Sequence, residues 1–244
     1  MKSLASSVLG VRHDPRRGDS HSERGMSAFL HSEVIELPER EFTHFHMEDG
    51  NSYFLDSEEK RFYSISKILS HATKKSIEQW RKWVGEAQAD LIGNAAKERG
   101  HVLHKGIENY LNNLQTEEGS PLLCIMRPLL DRLTRIRGIE LPLYCEDLML
   151  VGRCDCVAEF DGVLSIIDFK GATKAKKRSA IGKYFLQATA YSLMLEARTG
   201  IRIDDLAILV AAEDGSSESF TGKRSKYENK LRAAIAKFHG DLPR

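Results

Sequence analysis

Four cysteines in 244 residues, Cys124, Cys145, Cys154 and Cys156, are too few and too crowded into one central stretch for the disulfide framework of a small secreted domain. The chain is read as reduced and intracellular. No apolar run is long enough to span a bilayer, which excludes a helical membrane protein. Excess charge of one sign is missing too: 36 Lys and Arg stand against 35 Asp and Glu, a formal charge of +1. That balance excludes a polybasic protein held to nucleic acid by bulk electrostatics, so a nucleic-acid site must be a local patch. The N-terminus lacks the apolar core of a secretory signal. Its Arg and Ser content resembles a transit peptide, but Asp14, Asp19 and Glu23 argue against one, and a solvated tail in a cytoplasmic protein is expected. What is present is a 41% hydrophobic composition, enough to bury a core in one domain or a small two-part chain.

No internal repeat or low-complexity block is visible. Residues 1–50, rich in Ser, His, Arg and Glu, are expected to form a poorly ordered extension, and 51–244 a single domain. The runs YFLD and RFYS, at 53–56 and 61–64, suggest a hairpin, after which Ser64 or Ser66 can cap a short helix through Leu69. Apolar spacing predicts helices over 74–92, with Ile77, Trp80, Val84 and Ala87 on one face, and over 94–114, with Val102, Leu103, Ile107, Leu111 and Leu114 in a stripe. A helix over 121–137, ended by Gly138, comes next. The period then drops to two, predicting strands at 141–150, 152–160 and 163–170. A basic loop, a helix over 179–199, a strand at 206–212 and a last helix over 223–238 complete a mixed α/β fold.

Asp161-Gly162 between two alternating runs signals a two-residue type I′ hairpin. Such a turn sets the register: Phe160 faces Val163, Cys156 faces Ile167 and Asp155 faces Asp168, with Lys170 on the face of Asp168 and opposite Arg153. One face, carrying Cys154, Cys156, Ala158, Phe160, Ile167 and Phe169, reads as core. The other carries the charged groups at one end. Carboxylates directly opposed on a sheet repel. Either a divalent cation sits between Asp155 and Asp168, for which hard oxygen ligands suit Mg²⁺ or Mn²⁺, or Lys170 and Arg153 neutralise them.

Other residues admit two readings each. His104 and Glu108 are four apart on the clearest helix, so His104 is either a metal ligand or a half-buried histidine with a local partner. Gln187 and Tyr191 share a helix face, as functional groups or as an ordinary polar–aromatic pair. Lys174, Lys176, Lys177 and Arg178 follow Lys170 without an intervening acid, either a phosphate-binding loop or a solvated one. Trp80, Trp83 and Tyr110, at helical spacing, are expected in the core rather than stacking on bases. His44-x-His46 lacks the companions of a zinc site.

Taken together, Gly100-x3-His104-x3-Glu108, Gly152-Arg-Cys-Asp155, Asp168-Phe-Lys170 and Gln187-x3-Tyr191 resemble the PD-(D/E)XK nuclease superfamily, in particular its RecB-like exonuclease branch. The similarity runs from about Tyr63 to Gly215 and is to phage exonucleases and mitochondrial genome-maintenance exonucleases of that branch. It implies the restriction-endonuclease-like core, a central mixed sheet flanked by helices. It implies Asp155 and Asp168 as metal-binding and catalytic carboxylates, the Phe169 carbonyl and His104 as further metal ligands, and Lys170 as the catalytic lysine. Gln187 and Tyr191 match the motif that supports the site and contacts DNA, and Glu108 and Glu146 are supporting candidates. Ser66, Arg153, Thr173, Lys174, Lys176, Lys177 and Arg178 are the DNA-binding candidates. Relatives follow the lysine with Thr and Ser, where this chain has Gly171 and Ala172, leaving Thr173 as the hydroxyl within reach. The cysteine placement does not match the iron–sulfur cluster of some RecB-like nucleases, so none is expected.

The function so implied is a Mg²⁺-dependent DNA exonuclease, with Mn²⁺ able to substitute, acting on single strands or free ends. It would serve phage-type replication, recombination or degradation in the cytoplasm of an infected bacterium, cutting P–O3′ bonds to leave 5′-phosphates. A structure-selective endonuclease using the same site, and a catalytically inactive DNA-binding module, are the alternatives.

Overall fold

The structure, a computed structural model, describes residues 28–38, 40–46, 52–114 and 120–242. Its elements are β1 (Thr43–His46), β2 (Ser52–Leu55), β3 (Arg61–Ser64), α1 (Ile65–His71), α2 (Lys74–Val84), α3 (Glu86–Leu111), α4 (Pro121–Leu130), β4 (Leu133–Cys145), β5 (Leu150–Phe160), β6 (Val163–Ala172), α5 (Gly182–Thr199), β7 (Asp205–Ala212), β8 (Ser217–Lys223) and α6 (Glu228–Gly240). One mixed sheet runs β1-β2-β3-β5-β6-β7-β8, with β4 on β5 as well. Helices α3 and α4 cover one face through Leu103, Ile107, Leu111, Leu123, Met126 and Leu130. Helices α1, α5 and α6 cover the other through Ile65, Ile68, Phe185, Met194, Leu231 and Ile235.

Local chemistry accounts for several boundaries. Ser64 caps α1 by accepting from the Lys67 N–H at 3.2 Å, and Gly200 ends α5 in a left-handed conformation. Asp161 and Gly162 both have positive φ, 51° and 79°, as a type I′ turn requires. The β5–β6 register is the expected one from Phe160 opposite Val163 to Cys156 opposite Ile167, but the ladder stops there, so the expected pairs Asp155–Asp168 and Arg153–Lys170 do not form.

Several expectations are corrected. The helix predicted over 121–137 stops at Leu130, and β4 begins at Leu133. Leu133 and Ile136 fit a helical spacing, yet from Arg135 onward the side chains alternate, with Ile136 buried between Arg135 and Arg137. The strand predicted at 141–150 is the end of β4, a turn and the first residue of β5. Gly85, at φ 88° and ψ 144°, separates α2 from α3, so α2 ends early and α3 runs unbroken through Gly93 and Gly100. Helix α2 buries no residue: Trp83 is 84% exposed and Trp80 37%, against their assignment to the core. Val102 and Leu114, placed on the apolar stripe, are also exposed. Both faces of the β5–β6 hairpin are buried, because Val157 and Ile166 pack under α5 as fully as Cys156 and Ile167 pack under α3 and α4. Strand β8 has no counterpart among the predicted elements. Residues 43–46, inside the stretch expected to carry weak order, pair with β2 as an antiparallel strand.

Candidate active site in a notch of the sheet

Strand β5 has more neighbours than edges. Strand β4 runs along one edge from Leu150 to Phe160. The other edge is shared, with β3 opposite Leu150 and Val151 and β6 opposite residues 156–160. Residues 152–155 therefore face no strand on that side, and β6 diverges at Asp168 to continue along β7. The divergence opens a notch lined by Asp155 and Asp168. Instead of a backbone ladder bond, the Asp155 carboxylate accepts the Phe169 N–H at 2.8 Å.

Each side of the notch supplies a partner. From α3, His104 Nε2 donates to the Phe169 carbonyl at 3.1 Å. A carbonyl only accepts, so the proton is on Nε2 and Nδ1 is turned toward two carboxylates, Glu140 Oε1 at 3.6 Å and Asp155 Oδ2 at 3.8 Å. Burial disfavours the imidazolium, but Glu140 and Asp155 outweigh it and raise the His104 pKa. From β6, Lys170 Nζ lies 2.7 Å from Asp168 Oδ2 and 5.3 Å from the centre of the Tyr184 ring on α5. Asp168 is fully buried and neither of its oxygens makes a well-aligned hydrogen bond, so its compensation is Coulombic, from Lys170. Burial pushes the pKa of both Asp155 and Asp168 up, against the opposing pull of Lys170.

Tyr191 closes the α5 side. It is buried, accepts from Gln187 Nε2 at 2.8 Å, and has its own pKa raised by burial and by the two aspartates. Gly152 is what admits it: a Cβ there would stand 3.1 Å from Tyr191 Cε1. Gly171 occupies similar ground on the other face, where a Cβ would stand 3.3 Å from Leu103 and Leu122. The departure at 171 is thus filled by helix packing, and Ala172 is buried in the core.

The notch brings together Asp155, Asp168, Lys170, His104, the Phe169 backbone, Tyr191 and Gln187. Glu108 is one turn away along α3 and pairs with Lys105 at 2.9 Å. Glu146 lies in the turn between β4 and β5, bound to Arg40 at 2.6 Å and Lys60 at 3.0 Å, not among the notch residues. Arg153 is exposed, with Nε 3.9 Å from Glu140. Ser66 is exposed on α1, and Thr173, Lys174, Lys177 and Arg178 are exposed after β6, with Lys176 half-buried. Arg178 is anchored by donating to the Thr221 carbonyl at 2.7 Å.

Glu140 was missed. The register that sets Ile139 opposite Cys156 and Leu141 opposite Cys154 places it across from Asp155. A strand starting at 141 leaves it outside, so the alternation of the Arg-rich run before it was the usable signal. His104, Glu140 and Asp155 are the group of side chains, among the described residues, whose ligand atoms converge within 4.8 Å of one another. Carboxylate oxygens with one imidazole suit Mg²⁺ or Mn²⁺, and fully buried Asp168, whose charge partner is Lys170, lies beside them.

Residues 59–238 match the model of the PD-(D/E)XK nuclease superfamily. The human mitochondrial genome maintenance exonuclease 1 is 27% identical over 173 residues, 63% of this chain and 50% of that protein. The mouse protein of the same name is 33% identical over 129 residues, 48% of this chain and 38% of its own. The chain spans half or less of the length of these relatives. With the family model covering most of the chain, and the notch formed where that match runs, the chain belongs to the PD-(D/E)XK nuclease superfamily.

Proposed function

We propose that the protein is a metal-dependent DNA exonuclease that hydrolyses phosphodiester bonds at free ends or in single strands. The observation that carries this reading is Lys170 beside the paired carboxylates Asp155 and Asp168, with His104 facing them across the notch. A divalent cation bound there lowers the pKa of a water and polarises the scissile phosphate. Asp155, Asp168 and His104 would hold the ion. The Lys170 ammonium, fixed between Asp168 and Tyr184, orients the attacking water and offsets charge on the phosphoryl oxygens in the transition state. The basic segment 174–178 lies directly after β6, where it can track a phosphate backbone without reading bases. The names of the human and mouse relatives support the exonuclease reading over the endonuclease.

End-labelled linear single- and double-stranded DNA, set beside a covalently closed circle with Mg²⁺ or with EDTA, tests it. Loss of linear DNA alone, dependent on metal, is the expected result. Lys170→Ala is expected to lower the rate by roughly 10²-fold or more. Cutting of the circle would establish the endonuclease, and binding without cleavage the inactive module.

A further inference from the structure

We propose that Glu140 is a further protein ligand of the divalent cation, on the β4 side of the notch; this rests on the metal-dependent nuclease reading. No motif of the sequence singles this residue out. Its place follows from three independent facts. The β4–β5 pairs Ile139–Cys156 and Leu141–Cys154 flank Glu140 and Asp155 and set them level on adjacent strands, and carboxylates so placed repel unless positive charge comes between them. The charges available from the chain are poorly placed for this. Arg153 is 3.9 Å away and 65% exposed, and Lys170 is committed to Asp168 at 2.7 Å. Among the described residues, the other basic group at these carboxylates is His104, whose Nδ1 stands 3.6 Å from Glu140 and 3.8 Å from Asp155, both longer than a good hydrogen bond.

These three atoms leave room between them for an ion rather than closing on each other. Beside them, fully buried Asp168 is left without a well-aligned hydrogen-bond partner. Glu140 also departs from strand geometry, with φ of 52°, in the left-handed region that a glutamate seldom adopts. Glu140 would join His104 and Asp155, whose ligand atoms converge with its own within 4.8 Å, in a donor set drawn from α3, β4 and β5, with Asp168 of β6 beside it. A merely orienting Glu140 would instead act through His104, and a glutamine could keep that contact by accepting from or donating to Nδ1.

The test is isothermal titration of the metal-free full chain with Mn²⁺, for the wild type, Glu140→Gln, Glu140→Asn and Asp155→Asn, with thermal melts to confirm folding. Asn tolerates the left-handed backbone, so Glu140→Asn covers the case in which the Gln variant folds poorly. A ligand role predicts that both Glu140 variants bind Mn²⁺ roughly tenfold or more weakly, as Asp155→Asn does. Affinity within about twofold of wild type in a folded Glu140 variant, with Asp155→Asn impaired, overturns the proposal and leaves the nuclease reading standing. A wild type that neither binds Mn²⁺ nor degrades end-labelled single-stranded DNA overturns both.

Discussion

Asp155 and Asp168 are acids held out of water, and their proton affinity ties metal binding to pH. In the unfolded chain both carboxyls lose their protons near pH 4. In the metal-free fold burial raises both pKa values, so over the window above pH 4 the folded chain holds protons that the unfolded chain has released. Stability from these groups is therefore full at low pH and lost as pH rises through the raised values. A divalent cation needs the carboxylates ionised and takes the place of those protons. Adding Mn²⁺ should accordingly raise the melting temperature more at about pH 8 than at about pH 5.5, as differential scanning fluorimetry would record. An equal shift at both values would mean that the ion binds elsewhere. His104, raised by Glu140 and Asp155, works in the same direction, since it must shed its Nδ1 proton before that atom can hold a metal.

At the scale of elements, the site depends on how closely α5 approaches β5. Gly152 is the point of contact, and Tyr191 occupies the space where a side chain would be. Gly152→Ala should cost about 1–3 kcal/mol through overpacking against the Tyr191 ring, measured by urea denaturation. It should also disturb the Gln187–Tyr191 bond beside the two aspartates, so activity should fall further than the population of folded protein does. Full activity with unchanged stability would show that α5 can retreat without consequence. The splaying of β6 from β5 is the other element-scale device. It would gain nothing if β6 were left unpaired, and the parallel ladder to β7, from Ser165 to Ala172, is what holds β6 in place beyond Asp168.

Across the whole molecule, a charge network outside the notch joins segments distant in sequence. Asp56, in the turn between β2 and β3, accepts the Glu58 and Lys60 N–H groups at 2.9 and 2.8 Å and is paired with Arg40. Arg40 also binds Glu146, and its guanidinium lies 4.8 Å from the Tyr144 ring centre. Burial raises the Asp56 pKa, but the two N–H groups and Arg40 outweigh it and hold it below the usual carboxylate range. Its contribution is present above about pH 4 and lost as pH falls through the depressed value. Asp56→Asn should lower the urea midpoint at neutral pH, by an amount that shrinks below about pH 4. A decrement independent of pH would assign the effect to the turn's hydrogen bonds alone.

Much of the candidate site is local in sequence. A two-residue turn at Asp161-Gly162 sets the register that points Asp155 and Asp168 to one end of the hairpin, although pairing stops at Cys156 and Ile167, and helical spacing suffices to align Gln187 with Tyr191. The mixed α/β class follows from the same periodicities. Tertiary structure decided what periodicity does not encode. The β5–β6 hairpin is covered on both faces because helices from either side of it in the chain close over it, so alternation did not mark a solvent face. Leu133 and Ile136 fit helix and strand alike, and only pairing with β5 selects the strand. Glu140 reaches the site through that pairing and a left-handed backbone, and Glu146 is drawn to Arg40 and Lys60 by contacts 106 and 86 residues apart. Turns and helix faces are set by neighbours a few residues away; the notch depends on which strand edges remain without partners once the whole sheet has assembled.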